Sequence, residues 1–187
     1  MSNILIINGH QFYPYSQGRL NKTLVDETVS ILSEQHNVKT TTVQEGYDIK
    51  EEQEKIKWAD TIIFQTPIYW FSLPTLFKQY FDEVYEYGVI FAGAERYGQG
   101  GLLTGKTYML STTWNAPESE YGTPDGFFKG LDLEGTLEHI HATQRFVGME
   151  ALESFSIHDV IANPQVETYL VKLREHLNKV FELKLAV

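Results

Sequence analysis

Two short stretches of this chain have an unbroken apolar centre, and each ends in a loop that leads into a helical pattern. Asn3 to Asn8 reads Asn-Ile-Leu-Ile-Ile-Asn and runs into Gly9, and Asp60 to Gln65 reads Asp-Thr-Ile-Ile-Phe-Gln. Neither alternates apolar with polar residues, so each is expected to be buried on both faces, as strands of a parallel sheet are. Val38–Val43, Lys106–Thr112 and Ala151–His158 complete a set of five short strands. Helical patterns lie between them. Leu20 to Gln35 carries a stripe of Leu20, Leu24, Val25, Thr28, Ile31 and Leu32. Asp48–Trp58 is a polar helix, and Pro74–Tyr87 is amphipathic with a proline near its start. Gly126–Gly148 holds short helices. A terminal helix is predicted with Asn163 as its cap and Pro164 at its first position, running to about Glu182.

Strand and helix alternating in this way predict an α/β protein, a doubly wound parallel sheet with helices on both faces. Five strands favour the flavodoxin-like order 2-1-3-4-5, with all 187 residues in one domain. In such sheets ligands bind beyond the carboxyl ends of the strands, at the point where the strand order reverses. That rule names the loops after strands one, three and four before their residues are considered.

Composition narrows the partners. The formal charge of −10 repels a nucleic-acid backbone, while backbone amides and helix dipoles still act locally on a small anion. No cysteine is present, so disulfides, thiolate metal sites and a cysteine nucleophile are excluded. The six histidines lack metal-ligand spacing; His139 and His141 stand too close to share a helical face. Met1–Asn8 lacks a basic leader region and no apolar run reaches membrane-spanning length, so a cytoplasmic protein without membrane insertion is expected.

The first loop, Gly9 to Arg19, is neither G-x-G-x-x-G nor a Walker loop. It leads into the helix carrying Leu20, Asn21, Lys22 and Thr23, and it offers Ser16, Asn21 and Thr23 as neutral donors, Gly18 for close backbone approach, and Arg19 and His10 for charge-assisted bonds to a diphosphate. The same residues also make an ordinary capped surface loop. The second loop, Gln65 to Pro74, places Tyr69, Trp70 and Phe71 in succession between Pro67 and Pro74. Three consecutive aromatics cannot all face a core, and an apolar slot with backbone donors at its edge suits a flat heteroaromatic ring. The third loop, Thr112 to Pro117, supplies amide and hydroxyl groups from Thr113 and Asn115. Tyr97-Gly98-Gln99-Gly100-Gly101, ahead of strand four, reads first as a flexible connector.

With those loops in hand, the chain resembles the flavodoxin-like NAD(P)H:quinone oxidoreductases, and most of all their bacterial modulator-of-drug-activity-B branch. The resemblance runs from Met1 almost to the C-terminus. It is carried by Trp58-Ala59-Asp60, Tyr97-Gly98-Gln99-Gly100-Gly101, Thr113-Trp114-Asn115-Ala116-Pro117 and Phe146-Val147-Gly148-Met149-Glu150. It implies FAD, less readily FMN, held non-covalently in a homodimer with the site at the interface. It places Ser16, Gln17, Gly18, Arg19, Leu20, Asn21, Lys22 and Thr23 on the phosphates, and Pro67, Ile68, Tyr69, Trp70 and Phe71 along the isoalloxazine. Thr113, Trp114, Asn115 and Ala116 complete that site, with Tyr97 reaching the cofactor from the partner. NADPH or NADH is the implied reductant and a small quinone the acceptor, in a ping-pong hydride transfer. Tyr69, Tyr121 and His141 are the candidate proton donors to the quinone.

The chain departs from that branch in two places. Glu86–Tyr97 is shorter, and Ile68-Tyr69-Trp70-Phe71 leans toward the ancillary subunits of potassium-efflux systems. Three other readings stay open on the residues: an FMN azo- or nitroreductase, a regulatory subunit of an efflux protein, and a one-electron carrier.

Overall fold

The apolar run at the N-terminus forms β1 (Asn3–Asn8) at the heart of the sheet, with β3 (Thr61–Pro67) on one side and β2 (Asn37–Thr42) on the other. This computed structural model describes residues 1–183. β4 (Thr107–Thr113) pairs with β3 over its full length, from Thr61 opposite Thr107 to Pro67 opposite Thr113. All pairs are parallel, and the order is β2-β1-β3-β4-β5, where β5 is Glu150–Ala151, with a short β6 (Phe155–Ile157) also on β4.

Alternate residues of the inner strands feed two cores. Leu5, Ile7, Ile62, Phe64 and Leu110 face a layer that holds Ile56 of α2 (Ile49–Trp58), Phe77 and Phe81 of α3 (Thr75–Val84), and Ile140 of α5 (Glu138–Phe146). Ile4, Ile6, Ile63 and Met109 face Leu24 of α1 (Arg19–Leu32) together with Leu173 and Leu177 of α6 (Val166–Val180). Burial of each such side chain contributes about 1.5–3 kcal/mol, so the register of the sheet is strongly fixed. A single turn, α4 (Leu133–Thr136), precedes α5, with Asp132 accepting from the Gly135 amide at its start. Among the described residues no helix is long and apolar enough to cross a membrane.

The expected fifth strand, Ala151–His158, is two strands. β5 (Glu150–Ala151) and β6 (Phe155–Ile157) both pair with β4, but Ala151 stands opposite Tyr108 and Phe155 opposite Ser111. One extra residue on this side is a bulge. It is pinned by Glu134, whose carboxylate accepts from the Ser154 backbone amide at 3.1 Å and the Ser154 hydroxyl at 2.9 Å.

The terminal helix also differs from the sequence pattern. It starts at Val166, with no side-chain cap. Asn163 belongs instead to the preceding turn: its amide donates to Asp159 O, its carbonyl accepts from Tyr169 OH, and its side-chain oxygen accepts from Gln165.

Candidate functional site

Beyond Asn8 the chain leaves the sheet through Gly9, whose amide donates to Gln65 O at 2.9 Å. A side chain at Gly9 has no room: a Cβ would sit 2.0 Å from the Phe77 ring. Tyr13 and Ser16 then exchange two backbone hydrogen bonds across a two-residue turn, and Tyr13 stacks in parallel on Tyr15. At Gly18 the backbone turns left-handed, with φ of 73°, and enters α1. His10 fills the space under Gly18, and its Nε2–H donates to Ser16 O at 3.2 Å. Burial lowers the His10 pKa below its ordinary value, so at neutral pH it is a neutral brace for the loop rather than a charge aimed at a ligand.

The start of α1 is left open. Gly18 provides no side-chain cap, no acidic residue occupies the first turn, and the amides of Arg19, Leu20 and Asn21 donate to no acceptor among the described residues. Unpartnered amides at the positive end of a 14-residue helix match an anionic ligand such as a phosphate.

The loop after β3 is a tight two-residue hairpin. Tyr69 and Ser72 exchange backbone hydrogen bonds of 2.9 and 3.0 Å, and Trp70 and Phe71 between them adopt φ values of 48° and 64°. Such a turn ordinarily carries Asn-Gly, because a left-handed backbone crowds any larger side chain. Two aromatics there store on the order of 1–3 kcal/mol each. The conformation stands Trp70 out into solvent, 93% exposed. Phe71 stacks on Phe127 with ring centres 5.2 Å apart.

Two hydrogen bonds join this hairpin to its neighbours. Tyr69 OH and Ser16 Oγ share a 2.7 Å hydrogen bond, and Ile68 N donates to Thr113 O at 3.0 Å. Burial raises the Tyr69 pKa, partly countered by the Ser16 bond, so the phenol keeps its proton at neutral pH. Beneath the loops runs a buried polar chain. Ser111 Oγ donates to Gln65 Oε1 at 2.6 Å, Gln65 Nε2 to Asn21 Oδ1 at 2.8 Å, and Asn21 Nδ2 to Thr113 Oγ1 at 3.4 Å. The side chains of Asn21 and Thr113 thus clamp α1 to the sheet.

After β4, Trp114 is buried, its Nε1 donating to Thr112 Oγ1 at 2.9 Å and its amide to Ile157 O. His158 Nδ1 lies 3.3 Å from Ala116 O and supports the turn that follows.

These loops enclose two adjoining hollows. One, of about 690 Å³, is lined by Ser16, Gln17, Gly18, Arg19, Leu20, Asn21 and Thr23 from the first loop and α1, and by Pro67, Ile68, Tyr69, Trp70, Thr113 and Asn115 from the other two. The second, of about 480 Å³, is lined by Ile68, Trp70, Phe71, Trp114, Asn115, Ala116, Pro117, Glu120 and Phe127. Ile68, Trp70 and Asn115 form the wall common to both.

Two of the expected cofactor-site residues lie elsewhere. Lys22 faces the opposite side of α1 and pairs with Asp26 at 2.6 Å. Tyr97 packs on Phe146, beside the residues leading into β5, and is 91% exposed. Of the three candidate proton donors, Tyr69 lines the cleft. Tyr121 lies behind the second hollow, its ring stacked on Phe128 at 4.4 Å and set edge-on to Trp114. Its hydroxyl is buried with no partner among the described residues, and burial raises its pKa. His141 lines neither hollow; it is buried on α5 with Nδ1 2.6 Å from Tyr108 OH and Nε2 2.7 Å from Glu134.

Some of the lining went unread in the sequence. Val160, Ile161, Pro164 and Val166, after β6, wall the larger hollow, and Glu120 and Phe127 wall the smaller. The carboxyl-end rule applies to the last strand as well, so the first group had a readable signal. Glu120 and Phe127 had none.

A family model described as a flavodoxin-like fold matches residues 2–180. A Schizosaccharomyces pombe protein of uncharacterized function is 42% identical over 95% of this chain and 96% of its own. The NADPH:quinone oxidoreductase MdaB of Haemophilus influenzae is 39% identical over 96% of this chain and 99% of its own. Among solved structures, a Klebsiella pneumoniae protein named as a candidate quinone reductase superposes with a TM-score of 0.78 at 24% identity, covering 98% of this chain and 86% of that one. At that identity the likeness speaks for the fold.

Proposed function

Because the chain belongs to the flavodoxin-like family that includes the quinone oxidoreductase MdaB, we propose that it is an FAD-dependent NAD(P)H:quinone oxidoreductase. The observation that carries this reading is the meeting, in one cleft, of an uncapped helix N-terminus with an aromatic hairpin held in a strained conformation. The first suits a phosphate and the second a flat ring.

The residues present fit a flavin. The free amides of Arg19, Leu20 and Asn21, with the Gln17 and Arg19 side chains, hold the phosphates. The common wall of Ile68, Trp70 and Asn115 receives the ring system. Past the helix start the cleft continues along Val160, Ile161 and Val166, an apolar surface suited to an adenine, which favours FAD over FMN.

Bound there, a flavin supplies hydride transfer between a reduced nicotinamide and a quinone. The chain's own part is to bind and orient. The buried Ser111–Gln65–Asn21–Thr113 chain fixes α1 against the sheet. Trp70, Phe71 and Trp114 give both substrates one apolar face, which favours their successive use of the same hollow and a ping-pong order. Tyr69, protonated at neutral pH, stands on the cleft wall as the proton donor; Tyr121 is the alternative from behind the second hollow.

The reading extends to a single-domain, cytoplasmic homodimer in which Tyr97, which lines neither hollow of its own chain and is almost fully exposed, reaches into the cleft of the partner.

Cofactor released from purified protein, identified by mass, and initial rates with both substrates varied test the proposal. FAD and parallel double-reciprocal lines are expected. FMN would move the reading to an azo- or nitroreductase, and no flavin would end it.

A further inference from the structure

The smaller hollow is walled by aromatic and other uncharged side chains, with a single exception. Among its lining residues only Glu120 carries a charge. The carboxylate is held in place: Oε2 accepts from the Phe127 amide at 2.8 Å, and the Glu120 carbonyl lies under the Phe128 amide. Phe127, the residue so held, lines the hollow and stacks on Phe71 of the strained hairpin. No lysine or arginine pairs with Glu120 among the described residues, so its negative charge is not neutralised locally. At low ionic strength screening is weak, so an unpaired charge on the wall acts across a hollow of this size.

We propose that Glu120 sets the electrostatic class of acceptor, admitting flat neutral or cationic rings and rejecting anionic ones such as sulfonated quinones and sulfonated azo dyes. This rests on the quinone reductase reading and gives that site its substrate class. Aromatic faces bind any planar acceptor of suitable size, so the walls alone do not discriminate by charge. Glu120 does so by repulsion, a penalty on the wrong ligand rather than a contact to the right one.

Binding of menadione and of menadione 3-sulfonate to the purified protein with its own cofactor tests this, read by quenching of Trp70 and Trp114 fluorescence at low ionic strength. The wild type is expected to bind the neutral compound at least about fivefold more tightly than the sulfonate. Glu120→Gln keeps an oxygen acceptor for the Phe127 amide and removes the charge, and it should shrink that ratio about fivefold. Glu120→Lys should invert the ratio. A ratio that is the same in the wild type and both variants would overturn the proposal while leaving the functional reading intact. Quenching by neither compound, in protein that carries no flavin, would overturn both.

Discussion

Ser16 Oγ and Tyr69 OH share a 2.7 Å hydrogen bond that ties the loop after β1 to the hairpin after β3 across the mouth of the cleft. The bond is part-buried and neutral, so it contributes about 1 kcal/mol. In a double-mutant cycle of Ser16→Ala and Tyr69→Phe, the coupling in unfolding free energy should be about 0.5–1.5 kcal/mol. Tyr69→Phe should lower quinone turnover by more than it weakens flavin binding. Equal turnover by Tyr69→Phe and the wild type would remove the hydroxyl from the reaction.

The Trp70–Phe71 turn should trade stability for function. Replacing the pair with Asn-Gly satisfies the left-handed backbone and should raise the unfolding free energy by roughly 1–3 kcal/mol. For a chain of this size that is a melting temperature higher by several degrees. Quinone reduction should fall at least about tenfold, because the aromatic face of both hollows is removed. Thermal melts and steady-state rates check the two halves separately. A destabilised variant would show that the turn is not strained.

This hairpin also marks how far the sequence reaches. The central strands were legible because runs such as Ile4–Ile7 and Ile62–Phe64 have no polar face to turn toward water. The convergence of three loops followed from strand order alone. Trp70 and Phe71 were legible as ligand-facing aromatics, but their conformation was not, since turn chemistry would place Asn-Gly there. The split of the fifth strand was hidden because its bulge is pinned by Glu134, some twenty residues away in sequence. Asn163-Pro164 had the form of a helix start, yet the Tyr169 hydroxyl and the Gln165 amide engage Asn163 in a turn. Residue type alone marks His141 as a candidate; its place under Tyr108 and Glu134 depends on the packing of α5, which no local pattern records.

Gly18→Ala should fail for two separate reasons. Its φ of 73° strains a side-chain-bearing residue, by about 1–2 kcal/mol, and its Cβ would lie 2.4 Å from His10 Nδ1. Moving His10 breaks its hold on Ser16 O and shifts the start of α1. Flavin affinity, measured by equilibrium dialysis, should drop at least about tenfold. Retained affinity would show that the phosphate-facing amides do not depend on this turn.

Stability should fall on the acid side of neutrality. Burial lowers the pKa values of His10, His158 and His176 below the ordinary 6.5. In that case the unfolded chain takes up protons that the folded chain does not. The stabilisation is fully present above about pH 6.5 and is lost as pH falls through the lower folded values. Urea midpoints should be flat from pH 7 to 8 and decline below that range. His10→Gln, which can still donate to Ser16 O, should reduce the slope. An unchanged slope would show that His10 does not contribute to it.

The central claim is that the open start of α1 and the aromatic hairpin together hold a redox-active flavin. Anaerobic titration of the purified protein, followed by absorption between 350 and 500 nm, tests it directly. The account predicts a yellow protein that one equivalent of NADPH bleaches and one equivalent of menadione restores. A protein that stays colourless after incubation with excess FAD, or whose bound flavin NADPH leaves oxidised, would contradict it.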